Sequence, residues 1–82
     1  MRPDTAEIVH DVWCEVLQID KVAETDDFFD IGGHSLSAMQ VASSLRAKLD
    51  GIRVPTRLLF TNRTLKAFTD AVNERLEQVM PA

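Results

Sequence analysis

Tyrosine is missing from this sequence and aromatic residues make up only 6% of it, so a core here must be filled by aliphatic side chains packed between helices. Cysteine occurs once, at Cys14, which excludes an intramolecular disulfide and removes any sign of an oxidising compartment; a cytoplasmic location is expected. Long apolar runs are also lacking. No stretch approaches the roughly 20 residues a membrane span needs, and residues 1–15 carry Asp4, Glu7 and Asp11 where a signal peptide is apolar. Neither export nor membrane insertion is expected. Length itself is short: 82 residues suit one domain spanning 1–82 and leave little room for an enzyme with its own cleft.

Basic residues are scarce in the first part of the chain. Up to His34 there are nine carboxylates against Arg2 and Lys21, a balance of −7. From Ser35 onward four carboxylates face seven Lys and Arg, a balance of +3, which brings the whole to −4. Neither part gathers cations with interleaved aromatics, and the acidic excess repels a phosphate backbone, so nucleic acid is not an expected partner.

The apolar residues that are present fall into helical stripes. Asp4-Thr5-Ala6-Glu7 has the form of a capping box, and Ile8, Val9, Val12, Trp13, Val16 and Leu17 then recur at spacings of three and four. A first helix is predicted to end near Gln18, with His10, Asp11, Cys14 and Glu15 turned outward. Periodicity vanishes from Ile19 to His34. This reads as a long ordered loop pinned by Val22, Phe28, Phe29 and Ile31, and a loop of that length in a small domain points to a function.

Ser35 to Leu49 holds no Gly, Pro or carboxylate and reads as a second helix, stopped by Asp50-Gly51. Steps of about 100° place Ala38, Val41, Ala42, Leu45 and Leu49 on its core face. Leu36, Met39 and Ala47 fall outside that sector, and apolar residues left exposed together suggest a contact patch. A brief helix through Phe60, with Pro55 in its first turn, is predicted to cover one end of the core with Leu58, Leu59 and Phe60. Thr64 can cap a last helix carrying Leu65, Phe68, Ala71, Val72, Leu76 and Val79 at helical spacing. The expected fold class is therefore all-α, a small bundle of three main helices and one short one.

Chemistry concentrates in Asp27-Phe28-Phe29-Asp30-Ile31-Gly32-Gly33-His34-Ser35-Leu36. It sets a hydroxyl at a helix start, behind two glycines that admit close approach and a pair of aromatic anchors. Unpaired N–H groups and the helix dipole favour an anion there, so a phosphodiester on Ser35 would be well placed.

That segment resembles the signature of peptidyl carrier domains, also called thiolation domains, of nonribosomal peptide synthetases: Asp-x-Phe-Phe-x-Leu-Gly-Gly-His-Ser-Leu. Asp26 takes the first place and Ile31 stands for the usual Leu. The resemblance covers nearly the whole chain, from the helix with Trp13 to the Leu59-Phe60 pair before Thr61 and the last helix; Arg63 stands where many relatives carry Pro. It implies an acyl-carrier-protein-like four-helix fold and a 4'-phosphopantetheine arm, taken from coenzyme A, on Ser35, flanked by Gly32, Gly33 and His34. It further implies as partners a phosphopantetheinyl transferase, an adenylation domain that loads the arm, and a condensation, modifying or thioesterase enzyme that takes the cargo. A carrier of this kind is expected to be monomeric and to catalyse nothing itself.

Other readings fare worse on the residues. Ser35 as a mere N-cap would be the ordinary reading of a serine at a helix start. A hydrolase elbow lacks its second glycine and its strand, and the side chains of neighbours His34 and Ser35 diverge. A zinc site would need four convergent ligands, whereas His10 and Cys14 read as surface residues beside the stripe. The glycine pair lacks the Gly-Lys-Ser/Thr of a phosphate loop, and the acidic loop lacks the ligand order of an EF-hand. Two rivals stand: an acyl carrier of fatty-acid or polyketide synthesis, where Asp-Ser-Leu and an acidic second helix are usual, and a non-carrier helical module with Ser35 unmodified or phosphorylated.

Overall fold

A computed structural model describes residues 5–49 and 53–79, with side chains to residue 76. Four helices follow in order: α1 (Thr5–Leu17), α2 (Ser35–Lys48), α3 (Arg57–Thr61) and α4 (Leu65–Val79). Among the described residues the only extended pairing is a single antiparallel bridge between Asp27 and Thr64. The expected all-α bundle is what forms.

The stripes meet as their spacing requires. Val9, Val12 and Trp13 of α1, Ala38, Val41 and Leu45 of α2, and Phe68 and Val72 of α4 make one core that excludes solvent almost completely. Ala42 is only half-buried at its edge. Burying the Val, Leu and Phe side chains among them stabilises by about 1.5–3 kcal/mol each, against the entropy lost in ordering the chain. The aromatic share is small but concentrated: the Trp13 ring meets Phe28 edge-on at 5.0 Å and lies 6.0 Å from Phe68. The Trp13 Nε1 is buried with no acceptor among the described residues.

Asp4 of the expected capping box, the Asp50-Gly51 stop and the Val79 side chain lie outside what is described. The end of α1 is as expected, and its means is visible. Gln18 takes a left-handed φ of 57°, and the Ile19 N–H reaches back to the Cys14 carbonyl at 3.1 Å, closing the helix as a Schellman turn.

Three expectations need correction. Cys14 is half-buried against the core, and His10 is a tie between elements, its Nε2 accepting the Val22 N–H at 3.1 Å. Neither is the plain surface residue its outward position suggested. Phe60 does not cover the core; it is 48% exposed and stacks on Phe29 at 5.2 Å, while Leu59 fills the one fully buried position of α3 and Leu58 packs half-buried against the core. Pro55 precedes α3, whose N-cap is Thr56, and contributes its carbonyl to the Leu58 N–H at 3.0 Å.

The long loop is held at the start of α4. Carbonyls of Glu24 and Asp26 accept the N–H groups of Lys66 and Leu65 at 3.0 and 3.1 Å, while Arg63 offers its carbonyl to Phe28 at 2.7 Å. Thr64 caps as predicted, its Oγ1 accepting the Ala67 N–H at 3.2 Å and its carbonyl the Phe68 N–H at 2.9 Å. The N–H groups of the first four residues of α4 are thereby satisfied. Arg63, the departure from the carrier signature, leaves the helix start intact: its Nε pairs with Asp27 Oδ2 at 3.0 Å and its guanidinium lies 5.1 Å from the Phe29 centroid.

Candidate functional site

Ser35 is exposed and is the first residue of α2. The backbone that delivers it is shaped by what precedes it. Asp27 turns the chain by accepting the Phe29 and Asp30 N–H groups on its Oδ1 at 2.8 and 3.2 Å, in the manner of an Asx turn. Phe28 is then driven into the core and Phe29 half-buried over Phe60. Gly32 adopts φ of +114°, a conformation that side chains disfavour. Gly33 has no room for a side chain: a Cβ there would fall on the Phe28 ring and lie 2.6 Å from the Phe28 carbonyl oxygen. The two glycines thus have different grounds, one conformational and one steric.

The N-cap of α2 is His34, not Ser35. His34 is extended, with φ −150° and ψ −177°, and its Nδ1 accepts the Ser37 N–H at 3.4 Å. Its carbonyl accepts the Ala38 N–H at 2.9 Å. The N–H groups of Ser35 and Leu36 have no acceptor among the described residues, in contrast to the fully satisfied start of α4. A phosphodiester on the Ser35 hydroxyl would stand beside these two donors and the positive end of the helix dipole, so the residues present fit such a group. Capping by Ser35 itself does not occur here.

Leu36 and Met39 are 59% and 58% exposed, and Ala47 is exposed further along the same helix. Leu36 and Met39 therefore present apolar surface within one turn of Ser35. No group of three or more His, Cys, Asp or Glu among the described residues could hold a metal ion. No helix there is long and apolar enough to cross a membrane. Burial, then the charges of Asp11 and Asp20, push the Cys14 thiol up from its ordinary range, so it is a poor nucleophile.

The sequence pattern missed two features near this site. The His34 cap was missed because histidine is outside the usual capping set, and the Phe29–Phe60–Arg63 cluster because its members come from separate segments. Those three residues line an open cavity of about 330 Å³. The only advance signal was Arg63 itself, where the signature more often carries Pro.

Comparison with known proteins agrees with this geometry. The family model described as a phosphopantetheine attachment site matches residues 7–72. A linear gramicidin synthase of Brevibacillus parabrevis is 38% identical over 76 residues, which is 93% of this chain and 1% of that protein. The solution structure of a peptidyl carrier domain, a prototype for those of modular peptide synthetases, superposes with a TM-score of 0.73 at 32% identity, covering 88% of this chain and 93% of that one. A peptidyl carrier protein in complex with the phosphopantetheine transferase Sfp and coenzyme A superposes at 0.77 with 30% identity, covering 90% and 94%. Peptide synthetases and solved carrier domains thus converge on the same short stretch of fold, and this chain belongs to the phosphopantetheine-attachment family as a peptidyl carrier domain of the nonribosomal peptide synthetase type.

Proposed function

We propose that Ser35 is the attachment point of the arm and that residues 1–82 act as one monomeric, cytoplasmic carrier domain, presenting an activated amino, aryl or peptidyl group to successive enzymes. One observation carries this reading: Ser35 is exposed at the start of α2 with its own N–H and that of Leu36 open, behind a turn that only Gly32 and Gly33 can form. In the transfer reaction the Ser35 Oγ attacks the pantetheine-bearing phosphorus of coenzyme A. The anhydride bond to the nucleotide breaks, 3',5'-adenosine bisphosphate departs, and the hydroxyl proton goes to a base of the transferase. The backbone donors of Ser35 and Leu36 offset charge on the phosphodiester so formed. When attached, the arm supplies a thiol that holds cargo as a thioester and keeps it at high local concentration near a docked enzyme.

Partners are a phosphopantetheinyl transferase, an adenylation domain that loads the thiol, and a condensation, modifying or thioesterase enzyme that takes the cargo. They dock on the outward side of α2 through Leu36 and Met39, with Ala47 extending the patch. The exposure of all three supports this. The carrier has no catalytic residue of its own. Intact mass after incubation with coenzyme A and a promiscuous transferase tests the reading. One phosphopantetheinyl group is expected, mapped to Ser35 and not to Ser37, Ser43 or Ser44, and a Ser35→Ala protein that still gains it would refute the assignment.

A further inference from the structure

We infer that His34 is a positioning residue for arm attachment: by capping α2 itself, it relieves Ser35 of that duty and leaves the Ser35 hydroxyl free to act as a nucleophile. This rests on the reading of Ser35 as the attachment point.

A hydroxyl at a helix start is ordinarily drawn into the cap, where its oxygen accepts an N–H two or three residues ahead and its rotamer turns toward the helix. Such a serine is both occupied and wrongly aimed for attack on a donor arriving from solvent. Here the job is done one residue earlier. His34 Nδ1 takes the Ser37 N–H and its carbonyl takes that of Ala38, so these two amides are satisfied without any contribution from Ser35. The acceptor role requires a lone pair on Nδ1, which leaves Nε2 as the N–H of the neutral ring. Ser37 is itself buried, at 5% exposure, so solvent offers its amide little compensation if the imidazole is removed. Without the imidazole the Ser37 N–H loses its acceptor, the Ser35 hydroxyl two residues back is the next side-chain oxygen in reach of it, and the helix start shifts forward by one residue. The hydroxyl then becomes the cap.

His34→Ala and His34→Asn separate this role from mere contact with the transferase. Asparagine is among the best capping residues and can accept the Ser37 N–H with its Oδ1. In the transferase reaction with coenzyme A, His34→Ala is expected to lower kcat about five- to tenfold with KM within about twofold, and His34→Asn to restore kcat to within about twofold. Exchange of the Ser37 amide should quicken in His34→Ala and slow again in His34→Asn. An unchanged kcat in His34→Ala overturns the inference. So does an equal loss in both variants carried by KM, which would make His34 a contact for the transferase. A parent protein that gains no arm would overturn the attachment reading instead. Even then Ser37 exchange unaffected by His34→Ala would show that the cap does not exist.

Discussion

Gly33→Ala should cripple this domain by a route that can be followed atom by atom. The new methyl group would fall on the Phe28 ring and crowd the Phe28 carbonyl. Phe28 cannot swing aside, because it is fully buried with Trp13 at 5.0 Å and Phe29 at 5.2 Å around it. Moving the backbone instead breaks the 2.9 Å bond from the Gly33 N–H to the Phe28 carbonyl. Overpacking costs about 1–3 kcal/mol and the lost hydrogen bond about 1 kcal/mol, together roughly 2–4 kcal/mol. At the usual stability per residue, 82 residues correspond to about 4–12 kcal/mol in all, so this is a large share. Urea denaturation followed by the fluorescence of Trp13, the only tryptophan and fully buried, reads the loss directly. The cause is checked by adding Phe28→Leu, which empties the space the methyl needs. The double variant should be more stable than the sum of the two single losses predicts, by at least about 1 kcal/mol. Strict additivity, or a Gly33→Ala midpoint equal to the parent's, would refute the steric argument.

Leu45, with no exposed surface, should lose about 2–5 kcal/mol on truncation to Ala, and an unshifted denaturation midpoint would remove it from the core. Leu36→Asp and Met39→Asp should slow loading or condensation while leaving the melting temperature near the parent's. Because α2 carries no carboxylate, parent loading should fall only modestly with salt; wild-type rates in both variants, or a steep salt dependence, would move docking elsewhere, first to the acidic loop. The raised Cys14 thiol should react with iodoacetamide near neutral pH at least about tenfold more slowly than the arm's thiol, and equal rates would contradict its burial. The sign follows from a folded pKa above the unfolded one: the associated stability is present below the ordinary thiol range and is lost as pH rises through the elevated value.

Much of this was legible in advance where a regular period writes geometry into the chain. The three long helices, the core face of α2 apart from the half-buried Ala42, and the exposure of Leu36 and Met39 follow from 3.6-residue spacing, and the Thr64 cap from the hydroxyl at a helix start. The motif before Ser35 was legible because its neighbours are rarely found together. What escaped is long-range or unusual in kind. The tie from His10 to Val22 spans 12 residues and no periodicity encodes it. Phe60 lies on a helix of five residues, too short for spacing to define a face, so the position of Phe29 decides where its ring goes. Arg63 looked like a bare departure from a signature, whereas Asp27 and Phe29, more than 30 positions earlier, give it its role.

The bonds from Glu24 and Asp26 to the first amides of α4 bear on how cargo can travel. They fasten the stretch before Ser35 to a helix distant in sequence, so an arm on Ser35 would be carried by the bundle and not by a loose loop. Reach between distant active sites would then come from movement of the bundle as a whole and from the swing of the arm. What the fold sets is where such an arm would start, beside the exposed Leu36 and Met39, so an enzyme covering those two side chains would have the thioester within reach.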